Sequence, residues 1–108
     1  MRSAVTAHGV LEGHPSPDGA LIFSIHGALD TTSTGQAWRD ALHLLSHHQP
    51  KQLIIDASQL TYCDGAGAAL LLELRRRQHS RRQLYAIQSL DPSYHALLEL
   101  YDRGETER

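Results

Sequence analysis

The run Gln52-Leu53-Ile54-Ile55-Asp56 constrains this chain most, because helical patterns lie directly before and after it. A compact apolar run of that length fits an interior parallel strand covered on both faces. Upstream, Trp38, Ala41, Leu42 and Leu45 recur at i, i+3, i+4 and i+7. They follow Thr31-Thr32-Ser33-Thr34, whose hydroxyls can cap orphan N–H groups, and predict an amphipathic helix ending near His47-His48-Gln49-Pro50. Downstream, Gly67, Leu70, Leu71 and Leu74 share one face of a second helix that runs to about His79. Its arginine-rich end suits the negative C-terminus of a helix dipole. Leu84-Tyr85-Ala86-Ile87 is a further strand, and Asp91-Pro92 supplies an N-cap and first-turn proline for a third helix carrying Tyr94, Leu97, Leu98 and Tyr101.

Ahead of these units, Val10-Leu11-Glu12 and Ala20 to His26 flank His14-Pro15-Ser16-Pro17-Asp18-Gly19, which predicts an antiparallel hairpin. The order is therefore ββαβαβα, an α/β fold with a mostly parallel sheet and right-handed crossovers. Function in such sheets sits at the carboxyl ends of the strands. Here that places the loop Ala57 to Gly67 in view.

With 108 residues and 41% apolar content the chain is one domain, its core expected over about 8–102 with 103–108 as a tail or the start of a linker. A net charge of −2 gives no whole-chain attraction to nucleic acid or an anionic membrane. A local patch does exist, since Arg75 to Arg82 holds five of the ten basic residues. A solvated helix end, a surface for acidic protein or lipid headgroups, and a nucleic-acid contact all remain open for it; without flanking aromatics, nucleic acid is not expected. Cys63 has no disulfide partner, as a reducing cytosol permits. The N-terminus shows no apolar signal region, and Ala66 to Leu74 falls short of the ~20 residues of a membrane span. A soluble domain without membrane insertion is expected.

Catalytic patterns are missing. Asp64-Gly65-Ala66-Gly67 is the most specific local feature and reads as a capping turn, a protein-docking loop or a small anion site. Neither a phosphate-binding loop nor a full GxGxxG accompanies it, so no cofactor is expected. Of eight histidines only His43 and His47 share a helical face, without further ligands, so no metal is expected. Cys63 has no readable general base, and Ser58 and Ser80 lie in no nucleophile elbow. On the second helix, Leu72 lies roughly 150° from the centre of the apolar face. It is expected to point outward beside Ala68 and Ala69, with Arg76 one turn on, as a small apolar strip edged by an arginine.

These residues together resemble a STAS domain, the module named for sulfate transporters and anti-sigma-factor antagonists. The matching segments are Gly27-Ala28-Leu29-Asp30, Leu53 to Ser58, Leu60 to Gly67 and Ala68-Ala69-Leu70-Leu71-Leu72, within residues 8–102. The resemblance implies a four-stranded mixed sheet with its first strand antiparallel and helices packed against it. In antagonists of anti-sigma kinases, the hydroxyl residue after the loop aspartate is phosphorylated to switch binding off. Gly65 stands at that position here and Ala66 follows, so no acceptor hydroxyl is present. The form Tyr62-Cys63-Asp64-Gly65-Ala66-Gly67 is similar to STAS domains of Mla-type (MlaE-like) ABC permeases of bacterial lipid transport. This implies a non-enzymatic cytoplasmic module, standing alone or tethered to the inner membrane through a permease, that contacts the ATPase subunit. The alternative is an antagonist-like partner-switching protein without the phosphorylatable serine. Either way the expected partner surface is Tyr62 to Ala69 with Leu72 as apolar anchor and Arg76 as polar edge.

Overall fold

The computed structural model describes residues 5–6 and 10–106. Its elements are β1 (Val5–Thr6), β2 (Leu11–Pro15), β3 (Ala20–Leu29), α1 (Thr34–His48), β4 (Gln52–Cys63), α2 (Gly65–Ser80), β5 (Leu84–Gln88) and α3 (His95–Thr106), with a 3-10 turn at Pro92–Tyr94. The strands lie side by side in chain order. β1, β2 and β3 pair antiparallel, and β3, β4 and β5 pair parallel. This is the expected mixed sheet with one addition: β1 pairs Val5 with Gly13 and Thr6 with Glu12, a fifth strand at the edge. Two residues are too few to show a hydropathy period. Residues 7–9, where the core was expected to begin, and 107–108 lie outside the described residues. The expected tail is otherwise helical through Thr106, and Asp102, just ahead of it, pairs with Arg75 of α2.

Alternation along the strands decides what is buried. Leu11, Leu21, Phe23, Ile25, Leu53, Ile55 and Ala57 point into the core, where α1 and α2 cover them. Fully burying each such side chain contributes roughly 1.5–3 kcal/mol. The intervening Ile22 and Ile54 are only half-buried, so the central strand is not enclosed on both faces as its apolar run suggested. On α1 the buried set is Thr34, Ala37, Ala41, Leu44 and Leu45, with Trp38 and Leu42 packing at its flanks; the face is rotated by about one residue from the predicted one.

The segment Ala57–Cys63, expected as loop, stays paired to β3 as far as Leu29↔Cys63. Register shifts between Ser24 and His26 and between Gly27 and Ala28 let the two long strands remain together, and Gly27 takes φ 82 at the second. A bulge of this kind needs the conformational freedom glycine has. At the opposite end of the sheet, Gly19 turns the hairpin at φ 93, with Ser16 N–H donating to Ala20 O at 2.8 Å.

Gln78 is a fully buried polar residue of α2. Its Nε2 donates to Pro50 O at 3.3 Å and Leu84 O at 2.9 Å, tying the end of α2 to the starts of β4 and β5. Gln78→Leu keeps the volume but leaves both carbonyls without this donor. We expect a loss of about 1–3 kcal/mol, read as an earlier urea midpoint with an unchanged m-value.

Candidate functional site

β4 delivers the chain to α2 through one residue, Asp64. Its backbone is extended, and its Oδ1 accepts from Ala66 N–H at 2.9 Å and Gly67 N–H at 3.2 Å. The Asp-Gly-Ala-Gly turn thus makes the capping contact, and two of the donors that draw an anion to a helix N-terminus are taken by the chain's own carboxylate. Asp64 N–H also donates to Leu29 O at 3.3 Å. That carbonyl presses on α2, since a β-carbon on Gly67 would lie 2.5 Å from Leu29 O and 2.8 Å from Cys63 Sγ. Gly67 is therefore glycine because backbone meets backbone there.

Gly65 is glycine for a different reason. A β-carbon there would lie 2.0 Å from the Tyr101 hydroxyl, so a side chain of α3 fills the space beside the first residue of α2. Tyr94, just before α3, donates its hydroxyl to Thr61 O at 3.3 Å. Neither tyrosine was among the expected site residues. Their shared helical face was legible, but nothing in its spacing says which helix it covers.

The same packing corrects the expected docking strip. Leu72 is only 5% exposed and does not point to solvent. Seven residues from Gly65, it lies within about 20° of it around α2. Gly65 meets Tyr101 and Arg75 pairs with Asp102, so Leu72 falls on the face that α3 covers. Ala68 is fully buried and Ala69 half-buried. The outward phase computed from the sheet-facing residues is right as an angle. It failed as an exposure because a second layer packs there.

The remaining expected residues divide. Tyr62 is 50% exposed, and Asp64, Gly65 and Ala66 are half-buried around the first turn of α2. Cys63 and Gly67 are buried beneath them. Arg76 is exposed more than two turns away, its Nε and Nη2 on Glu73 at 3.0 and 2.7 Å, while Arg77 Nε holds the same carboxylate at 2.7 Å. The hydrogen bond from Arg76, seconded by Arg77, keeps the Glu73 carboxyl below its ordinary range. What the structure brings together is thus a small-residue turn flanked by Tyr62 and Tyr101. The arginine edge is not part of it.

Burial, and then the neighbouring Asp64 charge, push the Cys63 thiol up to about 11. Among the described residues no group of three or more His, Cys, Asp or Glu side chains is disposed to hold a metal ion. The rings of His43 and His47 stack with centroids 6.5 Å apart, without a third ligand.

Residues 14–105 match the family model described as Mlab, STAS domain. The chain belongs to the STAS domain family. No curated protein matches it in sequence. Among solved structures, it is similar to the anti-sigma factor antagonist SpoIIAA in its unphosphorylated form, with a TM-score of 0.70 at 13% identity, covering 82% of this chain and 81% of that one. It is likewise similar to Moorella thermoacetica RsbS S58E, with a TM-score of 0.69 at 21% identity, covering 82% of this chain and 74% of that one. These likenesses give the STAS fold, in agreement with the sheet and helices above.

Two predictions follow from this packing. Gly67→Ala should cost about 1–3 kcal/mol, because its neighbour is backbone, and Leu72→Ala about 2–5 kcal/mol. Gly65→Ala should melt close to the unaltered protein, since the exposed Tyr101 ring can turn aside; thermal melts compare all three. For Cys63, the raised thiol leaves roughly a thousandth as thiolate at pH 8, so alkylation should run over a hundredfold slower than for free cysteine, about 8.5 in pKa, and speed up as pH rises toward 11.

Proposed function

We propose that this chain is a non-enzymatic, protein-docking STAS module of a bacterial ABC-type lipid-transport system, and that it seats on the cytoplasmic ATPase subunit with the permease as the third component. The observation that carries the docking reading is the first turn of α2. Gly65 and Ala66 offer neither hydroxyl nor charge there, and the tyrosines at 62 and 101 stand beside them with exposed rings. Such a surface suits a partner that approaches closely and stays, because it holds no group whose charge a kinase could change at the position after Asp64. The matched family's description favours the transport system as the setting. Among the described residues no helix is long and apolar enough to cross a membrane.

The second reading is an antagonist-like partner switch that lacks its phosphoacceptor, and the named structural neighbours support it. The two differ in partner. Purified domain should retain the ATPase subunit of a lipid-transport ABC system in a pull-down, and Tyr62→Ala should weaken that complex about tenfold or more without moving the melting curve. Retention of an anti-sigma serine kinase instead of the ATPase would transfer the domain to the second reading. An unchanged affinity in Tyr62→Ala would place the docking surface elsewhere.

A further inference from the structure

The last turns of α1 and α2, with the strand starts that follow, give the opposite end of the molecule its own charge. Lys51, Arg76, Arg77, Arg81 and Arg82 are all exposed there. His43, His47 and His79 are exposed beside them, and His48 is half-buried. The carboxylates at this end are Glu73, already held by Arg76 and Arg77, and Asp18 of the hairpin turn, whose neighbour Gly19 lies against the Lys51 side chain. Among the described residues five Lys+Arg thus share this end with two Asp+Glu, and elsewhere acidic residues outnumber basic ones.

Helix dipoles explain only part of this. They favour cations within the last turn, which accounts for Arg77, His47, His48 and His79. Lys51 and Arg82 lie beyond the helices. Arg82 takes φ 60, where glycine or asparagine would be less strained, yet the residue is an arginine.

Two further features give the basic end a shape. A cavity of about 250 Å³ lies between the last turns of α1 and α2. Leu42, Leu45, Ser46, Gln49 and Arg81 line it, with Arg77, whose Nε is on Glu73, and Ser80, whose hydroxyl donates to Arg77 O at 3.0 Å. Ser46, Gln49 and Arg81 bring hydroxyl, amide and guanidinium chemistry to its lining, the kinds of donor that suit a phosphate group. Leu84, whose N–H donates to Lys51 O at 3.0 Å, is 65% exposed, the most of any large apolar side chain described. An exposed apolar side chain at the same end as these cations, here on the sheet face opposite the helices, fits the headgroup layer of an anionic membrane, where charge attracts and the apolar group enters. Nucleic acid fits less well, because the exposed tyrosines, Tyr62 and Tyr101, are at the other end of the molecule.

We propose that the basic end docks peripherally on an anionic bilayer, with a lipid headgroup phosphate in the α1–α2 cavity and Leu84 in the interfacial layer. The acidic remainder turns away from the membrane, and the surface around Gly65 stays open to a protein partner. Vesicle cosedimentation tests this, using phosphatidylcholine vesicles with and without about 30% phosphatidylglycerol, at roughly 50 mM and 500 mM salt. The domain should bind only the anionic vesicles and only at low salt. Arg81→Gln with Arg82→Gln should lower the partition coefficient roughly 25-fold, about fivefold per cation. Leu84→Ser should lower it severalfold, and both variants should melt with the unaltered protein because the side chains are exposed. Binding that is absent at low salt, or unchanged in the double variant, overturns the proposal. So does a domain that takes up inorganic phosphate or a short RNA duplex but leaves the vesicles free.

Discussion

The close approach of Gly67 to the carbonyl of Leu29 is the contact on which the rest of the functional end depends. At 2.5 Å from where a β-carbon would stand, the carbonyl oxygen admits no other residue without moving β3 or α2. The contact locks the start of α2 over the end of β3, and Asp64 completes it by giving its N–H to that carbonyl while its carboxylate caps the helix. The crossover from β4 to α2 shrinks in consequence to one residue. β4 then continues where a loop would ordinarily begin, and Tyr62 is presented on a strand and not on a flexible segment.

That constraint separates what the sequence made legible from what it did not. The element order, the parallel pairing of β3, β4 and β5 and the N-cap at Asp64 follow from local patterns, and each is found. The extent of β4 was not legible, because Ser58, Gln59 and Thr61 break the apolar run and only pairing with β3 reveals a strand. Leu72 was misplaced for a related reason. Helical phase fixes an angle about the axis, whereas exposure also depends on what lies at that angle, and α3 arrives from more than twenty residues further along the chain.

α3 therefore changes the meaning of the α2 surface. Among its anchors are the partly buried Leu98, the pair of Arg75 with Asp102, and Tyr101 over Gly65. Its outer face leaves Leu100 exposed. A helix held mainly along one side of a neighbour covers apolar surface without joining the central core, which explains why Leu72 is buried yet stands apart from the cluster formed by Leu70, Leu71 and Leu74. The hydroxyl of Tyr101 also reaches the position where a side chain on the first residue of α2 would project, so the two ends of this segment are coupled through one contact.

Anion binding in open α/β sheets ordinarily exploits the carboxyl ends of the strands, where helix N-termini offer free N–H groups. This domain inverts that arrangement. Asp64 occupies the donors of α2, and Asp30 accepts from Thr32 N–H at 2.9 Å and Ser33 N–H at 3.2 Å at the entry to α1, its carboxyl held below the ordinary range chiefly by the Thr32 side chain. The start of α2 thus carries its own carboxylate, while Asp30 holds N–H groups of the turn just ahead of α1. The positive side chains gather instead where the helix dipoles are negative, and five cations with unit charge outweigh two termini of about half a charge each. Charge is thus sorted along the strand direction by side chains set against the backbone field. A fold whose net charge is only −2 presents two ends of opposite sign, which orients it toward any charged surface before contact is made.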